Sequence, residues 1–422
     1  MKHRICVMTA GHLSTCPRML KAADALAEAG YRVRVVSARH TGWAAASDAE
    51  VCRRRAGAWD WNVVDVSRRT ALVTGAWTGA RRRGAEGLAY LAGPARMPLW
   101  LAERAFSRVH PELVRAALEQ PADLFYGGTT GALGAVAEAA RRAGAPYGLD
   151  LEDFHSGEQE PGPWAGTVHG LAVRIERAVL PPARFLTTSS EAIAAAYARA
   201  YGLRPVVVHN VFPLPAEPPD TAPAPGEGLR LYWFSQTIGP GRGLEDAVRA
   251  MGLAAIPGEL HLRGRAVPPY LIELERLAEV AAPALKIVVH EPGPSDAMVP
   301  LCAGFDVGLS LEPPRVLNRR LCLSNKAFTY MLGGLAVVFT DTESQRPLAA
   351  GIGAGAILYP AGDIQTLAAG LRRWAEDKPL LHRARAAAWE AAKRRWHWGH
   401  PAERGALLGA IGEALARGTP GG

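Results

Sequence analysis

Between Phe305 and Thr340 the chain sets short apolar runs, polar loops and one amphipathic stretch in an order that few folds accommodate. FDVGLSL is an apolar run that stops at Glu312-Pro313-Pro314, and a polar loop containing arginine follows. Ser324-Asn325-Lys326 then stands directly before AFTYML, whose apolar spacing predicts a helix, and Gly333-Gly334 ends it. LAVVF reads as a strand buried on both faces, the signature of a parallel sheet. A strand–loop–helix–strand unit with Asn and Lys at the helix start suits a phosphate. The unpaired N–H groups and the positive dipole end face the anion, and lysine adds a full charge.

Length and composition limit the alternatives. A chain of 422 residues exceeds one comfortable core, so two α/β domains are expected. Hydrophobic residues make up 49% and aromatics 7%, which excludes a disordered chain. The apolar run at the start, Ile5 to Ala10, is too short for a signal-peptide core, and nowhere are there 18 uncharged apolar residues in a row. Five cysteines without metal-ligand spacing (Cys6, Cys16, Cys52, Cys302, Cys322) read as reduced thiols, so the expected location is the cytoplasm. The net charge of +8 favours anionic partners: a nucleotide sugar or an acidic membrane surface, with peripheral contact at the inner face. Nucleic acid is set aside, because no basic run interleaves with aromatics in a recognised binding module.

Along the chain, RICVMTA, a polar loop, MLKAADALAEAGY and RVRVVSA form a βαβ start. Its loop has no Gly-x-Gly-x-x-Gly, which argues against a dinucleotide there. Residues 71–110 read as helical and mix Trp77, Arg81-Arg82-Arg83, Tyr90, Trp100 and Arg104. Such a mixture suits a membrane surface or an acceptor, but an ordinary surface helix pair with its arginines in water is the favoured reading. ADLFYGG, PYGLDLEDF, ARFLTTS and PVVVHNV are further strands, and Pro213–Gly228 is a proline-rich linker. LRLYWFS, HLRGR, KIVVHEP, DVGLSL, AVVFT and AGAILYP continue the alternation.

The run from Asn325 to Val338 resembles the donor-binding signature of GT-B glycosyltransferases, specifically the retaining family 4, Asn-Lys-x-Phe-Glu-Tyr-Met-x-x-Gly-Leu-Pro-Val-Val. Thr329 stands where that pattern has Glu, and Ala336 where it has Pro. Eight residues before Thr329 lies Leu321, so neither carboxylate of the family's Glu pair is present. The resemblance implies two doubly wound Rossmann-like domains facing across a cleft. It implies an acceptor-side domain over 1–212, a linker over 213–228, a donor domain over 229–395, and a C-terminal helix over 396–422 that crosses back to the first domain.

The donor side is expected to use Ser235, Gln236, Thr237, Gly239, Arg242 and Gly243 in a glycine-rich turn, together with Arg263, Glu291, Glu312, Asn325, Lys326 and Thr329. Arg242 can grip a diphosphate bidentately, whereas Gln236 offers only a neutral donor. Glu312 and Glu291 can supply carboxylates in place of the missing Glu, and the Thr329 hydroxyl can reach a ribose oxygen. On the acceptor side the resemblance points to His12 and Arg18. Asp150, Glu152, Asp153 and His155 crowd a strand end, where α/β folds bind ligands, and form the catalytic candidates, with Glu158 nearby. No metal or cofactor is expected, since cationic side chains can stabilise a leaving diphosphate. The resulting expectation is a metal-independent, retaining transferase that moves sugar from a nucleoside-diphosphate sugar to an unassigned acceptor. A non-catalytic GT-B subunit and a nucleotide-sugar epimerase remain open at this point.

Overall fold

The computed structural model describes residues 2–223, 226 and 228–417. It contains two parallel sheets, each within its own compact unit. The first unit comprises residues 1–208, 316–318 and 404–422. Its strands are β1 (Arg4–Thr9), β2 (Arg32–Arg39), β3 (Asp60–Asp65), β4 (Leu124–Gly128), β5 (Tyr147–Leu151), β6 (Phe185–Thr188) and β7 (Val206–Val207). They pair in the order β3-β2-β1-β4-β5-β6-β7. Every residue of β4 and β5 is buried, because helices cover both faces. The order reverses between β1 and β4, which register Thr9 opposite Gly128. At such a reversal open α/β sheets bind their ligands, outside the carboxyl ends of the strands.

The second unit, residues 209–315 and 319–403, repeats the plan. Its strands are β8 (Leu229–Ile238), β9 (Gly258–Ala266), β10 (Leu285–His290), β11 (Val307–Ser310), β12 (Ala336–Thr340) and β13 (Ala356–Tyr359), in the order β10-β9-β8-β11-β12-β13. Here the reversal lies between β8 and β11. The helix Asn325–Leu332 packs close to β11 because Gly308 has no side chain, and a Cβ there would fall 2.1 Å from the Tyr330 ring. Arg385, buried within the helix Lys378–Arg394, donates to the carbonyls of Gly334 and Asp220, both at 2.8 Å. It thereby ties the proline-rich segment to the turn that ends the Asn325 helix.

Several boundaries differ from the sequence reading. The division between units falls at 208/209, so the described part of the proline-rich segment groups with the second unit. Ala224, Pro225 and Glu227 of that segment, and 418–422 of the expected terminal helix, lie outside the described residues. A helix at Ala45–Arg53 and the edge strand β3 went unread, since DWNVVD is polar at both ends and only half-buried. Strand β8 runs on to Ile238, past the expected stop at Ser235, through a bulge between Phe234 and Thr237. Gln236 and Thr237 are therefore strand residues.

Candidate donor and acid–base sites

In the second unit the apolar strand β11 ends at Ser310, and two residues later Glu312 is fully buried. A lone carboxylate there would be costly, so its charge must be met. Lys326 Nζ lies 3.0 Å from one oxygen and Arg319 donates to the other at 2.6 Å. The Glu312 amide donates to the Thr340 hydroxyl at the end of β12 (3.2 Å). Burial pushes the Glu312 carboxyl up, but Lys326 and Arg319 outweigh it and hold the group at about 2. Two cations around one anion leave a net positive charge at the carboxyl edge of the sheet. Arg319 went unassigned in the sequence reading. The polar loop around it was visible, but no pattern singled it out.

Lys326 is itself buried and lies 5.9 Å from the Trp233 ring centroid. Asn325 is the first residue of its helix, after Ser324 in extended conformation, and no acidic residue occupies the first turn. The helix Leu244–Ala254 differs, because Glu245 and Asp246 stand in its first turn. Asp246 already accepts from the Gly362 amide at 2.9 Å. The free dipole end that attracts an anion is therefore better developed at Asn325 than at Leu244. Between β8 and the Leu244 helix, Gly239 to Gly243 form the expected turn. Gly243 has φ +76°, and a Cβ there would lie 3.2 Å from Leu311 and 3.3 Å from Pro313. Arg242 is half-buried in this turn, and the exposed Arg315 approaches Gly241.

Other expected donor residues have different roles. The Thr329 hydroxyl donates to the Asn325 carbonyl at 2.9 Å, and the residue is fully buried. It holds its own helix together and does not offer a hydroxyl to ribose. Leu321 is buried as well. Arg263 donates to the Tyr232 hydroxyl and to the Glu291 carbonyl, both at 2.8 Å, so Glu291 contributes its backbone there. Glu312 anchors cations instead of standing open to a sugar. Ser235 is half-buried and Gln236 exposed on β8.

In the first unit, Asp150 ends β5 as the partner of Arg18. Arg18 donates to both carboxylate oxygens at 2.7 and 2.6 Å, and Thr187 adds a third bond at 2.6 Å. Arg18 also donates to the Val208 carbonyl at 2.6 Å. Both residues are buried, so this pair ties the helix Pro17–Glu28 to β5 and is closed to a substrate. His12 is similarly engaged. Its Nδ1 meets Asp48 at 2.6 Å, and its Nε2 accepts from the amides of His40 (3.2 Å) and Thr41 (3.3 Å). The assignment of His12 and Arg18 to an acceptor gives way to bracing roles.

Three candidates remain together just beyond β5. Burial pushes the Glu152 carboxyl up to about 7, with Asp153 and Asp150 adding to the shift and Arg18 and Lys21 opposing it. Asp153 accepts from the Asn318 amide at 2.8 Å, and Asn318 accepts in turn from the Phe154 amide. His155 is buried, with Nδ1 at 2.7 Å from Glu158 and 2.9 Å from Thr130. Burial disfavours its charged form, yet Glu158 raises the imidazole to about 9. Its Nε2 is buried with no partner among the described residues. A carboxyl pushed up by burial and, three residues on, an imidazolium with an unused donor are groups that can exchange protons with a ligand or grip an oxygen.

One further group among the described residues has the spacing of metal ligands: Glu103, His110 and Glu138. His110 Nε2 lies 2.6 Å from Glu138 and 3.4 Å from Glu103, and Arg142 also pairs with Glu138. These distances describe an ion-paired cluster on three helices.

Residues 17–213 match the family model described as glycosyl transferase 4-like domain. Among solved structures, HepE of Anabaena in complex with UDP-glucose superimposes with a TM-score of 0.65 at 18% identity, over 98% of this chain and 100% of that one. Sucrose-phosphate synthase of Thermosynechococcus elongatus gives 0.63 at 13% identity, over 99% of each chain. The chain has the GT-B fold. Staphylococcus aureus TarM, in a complex containing UDP, gives 0.62 at 8% identity over 98% of this chain and 99% of that one. No curated protein matches the chain in sequence.

Proposed function

We propose that the second unit binds a nucleoside-diphosphate sugar and that the enzyme transfers its sugar, with retention and without a metal ion, to an acceptor met by the first unit. The observation that carries this reading is the pair of cations, Lys326 and Arg319, fixed by one buried carboxylate at the strand-order reversal of the second sheet. A cation held in place before the ligand arrives needs no reorganisation when charge develops on a leaving diphosphate. Arg242 and the N–H groups at Asn325 complete the set of donors in this reading. Known structures of this fold that hold UDP or UDP-glucose make the uridine compounds the first donors to try.

In the first unit Glu152, Asp153 and His155 take the roles nearest the sugar, Asp150 having been spent on Arg18. Retention follows from the resemblance to family 4. No disulfide joins the five cysteines, which fits a reducing compartment. The test is incubation with UDP-glucose in EDTA, following both binding and slow release of UDP. Binding with release supports the reading. Absence of both, restored by Mg²⁺ or Mn²⁺, removes the metal-free part, and absence under all conditions with several nucleotide sugars removes the donor assignment.

A further inference from the structure

The helix Leu72–Ala92 of the first unit is 21 residues long, and it turns only a narrow side inward. Gly75, Thr78, Ala85 and Ala89 are buried, the last two within a small core with Met97, Ala102, Ala105 and Leu171. At 100° per residue the opposite side carries Val73, Trp77, Leu88 and Leu91 in one stripe. They are 83%, 63%, 52% and 81% exposed, respectively. Tyr90 and Trp100 add exposed aromatic rings, and Tyr90 packs against Trp164 at 4.6 Å between centroids. A soluble helix normally reverses this pattern, with its apolar stripe on the core. A contiguous exposed apolar face with aromatic edges needs an occupant.

Charge decides which occupant fits. Residues 68–108 hold eight arginines and two glutamates, a surplus of six positive charges in a chain whose net charge is +8. Arg83 and Arg96 are exposed, and neither has a carboxylate partner among the described residues. Arg104 lies 5.2 Å from the Trp100 ring centroid. A second copy docked face to face would bring two arginine-rich borders together, which is repulsive. An anionic bilayer offers acyl chains to the stripe and phosphates to the arginines, and aromatic rings favour the interface between the two. We infer that this helix face docks the first unit on a membrane containing anionic phospholipid. The inference stands on the exposed stripe and its charge, and it does not depend on the donor assignment.

The test is co-sedimentation of the full chain with vesicles of phosphatidylcholine and phosphatidylglycerol (7:3) and with phosphatidylcholine alone. Trp77→Gln/Leu91→Gln removes apolar anchors from exposed positions, so the fold is retained, as circular dichroism can verify. Val280→Gln, at an exposed apolar position of the second unit, serves as control. The wild type and the control are expected to sediment with the anionic vesicles, less so at high salt, and the double variant to bind about tenfold more weakly. UDP binding by the double variant should equal that of the wild type. Equal sedimentation of double variant and wild type overturns the inference. So does a wild-type chain that ignores vesicles, or one that forms a dimer which the double variant dissolves.

Discussion

Lys326 Nζ and Glu312 Oε1 lie 3.0 Å apart inside the second unit, with Arg319 on the other oxygen of the same carboxylate. This arrangement makes Glu312 the holder of the cations. Glu312→Gln should therefore weaken UDP and UDP-glucose by similar factors, since it loosens the diphosphate grip and not a contact to sugar hydroxyls. It should also lower stability by about 3 kcal/mol, because the buried Lys326 and the half-buried Arg319 lose their counter-charge. Calorimetry with both ligands and urea denaturation measure the two effects. A selective loss of UDP-glucose affinity would return Glu312 to the sugar.

Thr329 occupies the position where the resembling family has Glu, and its hydroxyl is already bonded to the Asn325 carbonyl. Thr329→Val should leave the Kd for UDP within about twofold and cost about 1 kcal/mol of stability, the worth of one hydrogen bond. A large loss of affinity at unchanged stability would show that the hydroxyl serves the ligand.

His155 gives a pH signature. Glu158 raises its folded-state value to about 9 from an ordinary 6.5. The charged form is thus favoured by folding, and that stability is fully present below pH 6.5. It fades as pH rises from 6.5 through 9, by an amount on the order of 3 kcal/mol. His155→Asn should flatten this slope in denaturation curves recorded between pH 6 and pH 9.5. An unchanged slope would place the titrating group elsewhere.

Gly243 has φ +76°, a conformation that a side chain resists, and a Cβ would press on Leu311 and Pro313. Gly243→Ala should cost about 1–2 kcal/mol and weaken donor binding by displacing Arg242. Thermal unfolding with and without UDP separates the two effects, and a variant matching the wild type in both would remove the turn from the site.

Sequence reached the fold because its parallel strands are short apolar runs, buried on both faces and spaced by helices. DVGLSL and AVVFT could be read in this way, while the half-buried DWNVVD at a sheet edge could not. Within the site, Lys326 was legible from its place at a helix start. The roles of Arg18, Asp150 and His12 were not, because a buried ion pair joins residues 132 positions apart and a His–Asp contact joins residues 36 apart. Residue type marks such groups as chemically capable. Only packing shows whether their bonds are already spent.

The central claim is a cationic diphosphate grip that needs no metal. Its most direct measurement is calorimetric titration of UDP-glucose into the wild type and Lys326→Ala, both in EDTA and both checked for folding. The wild type should bind, and Lys326→Ala should bind roughly ten- to a hundredfold more weakly, the worth of one charge-assisted contact. A folded Lys326→Ala variant with wild-type affinity, or a wild type that binds only after Mg²⁺ is added, would contradict the account.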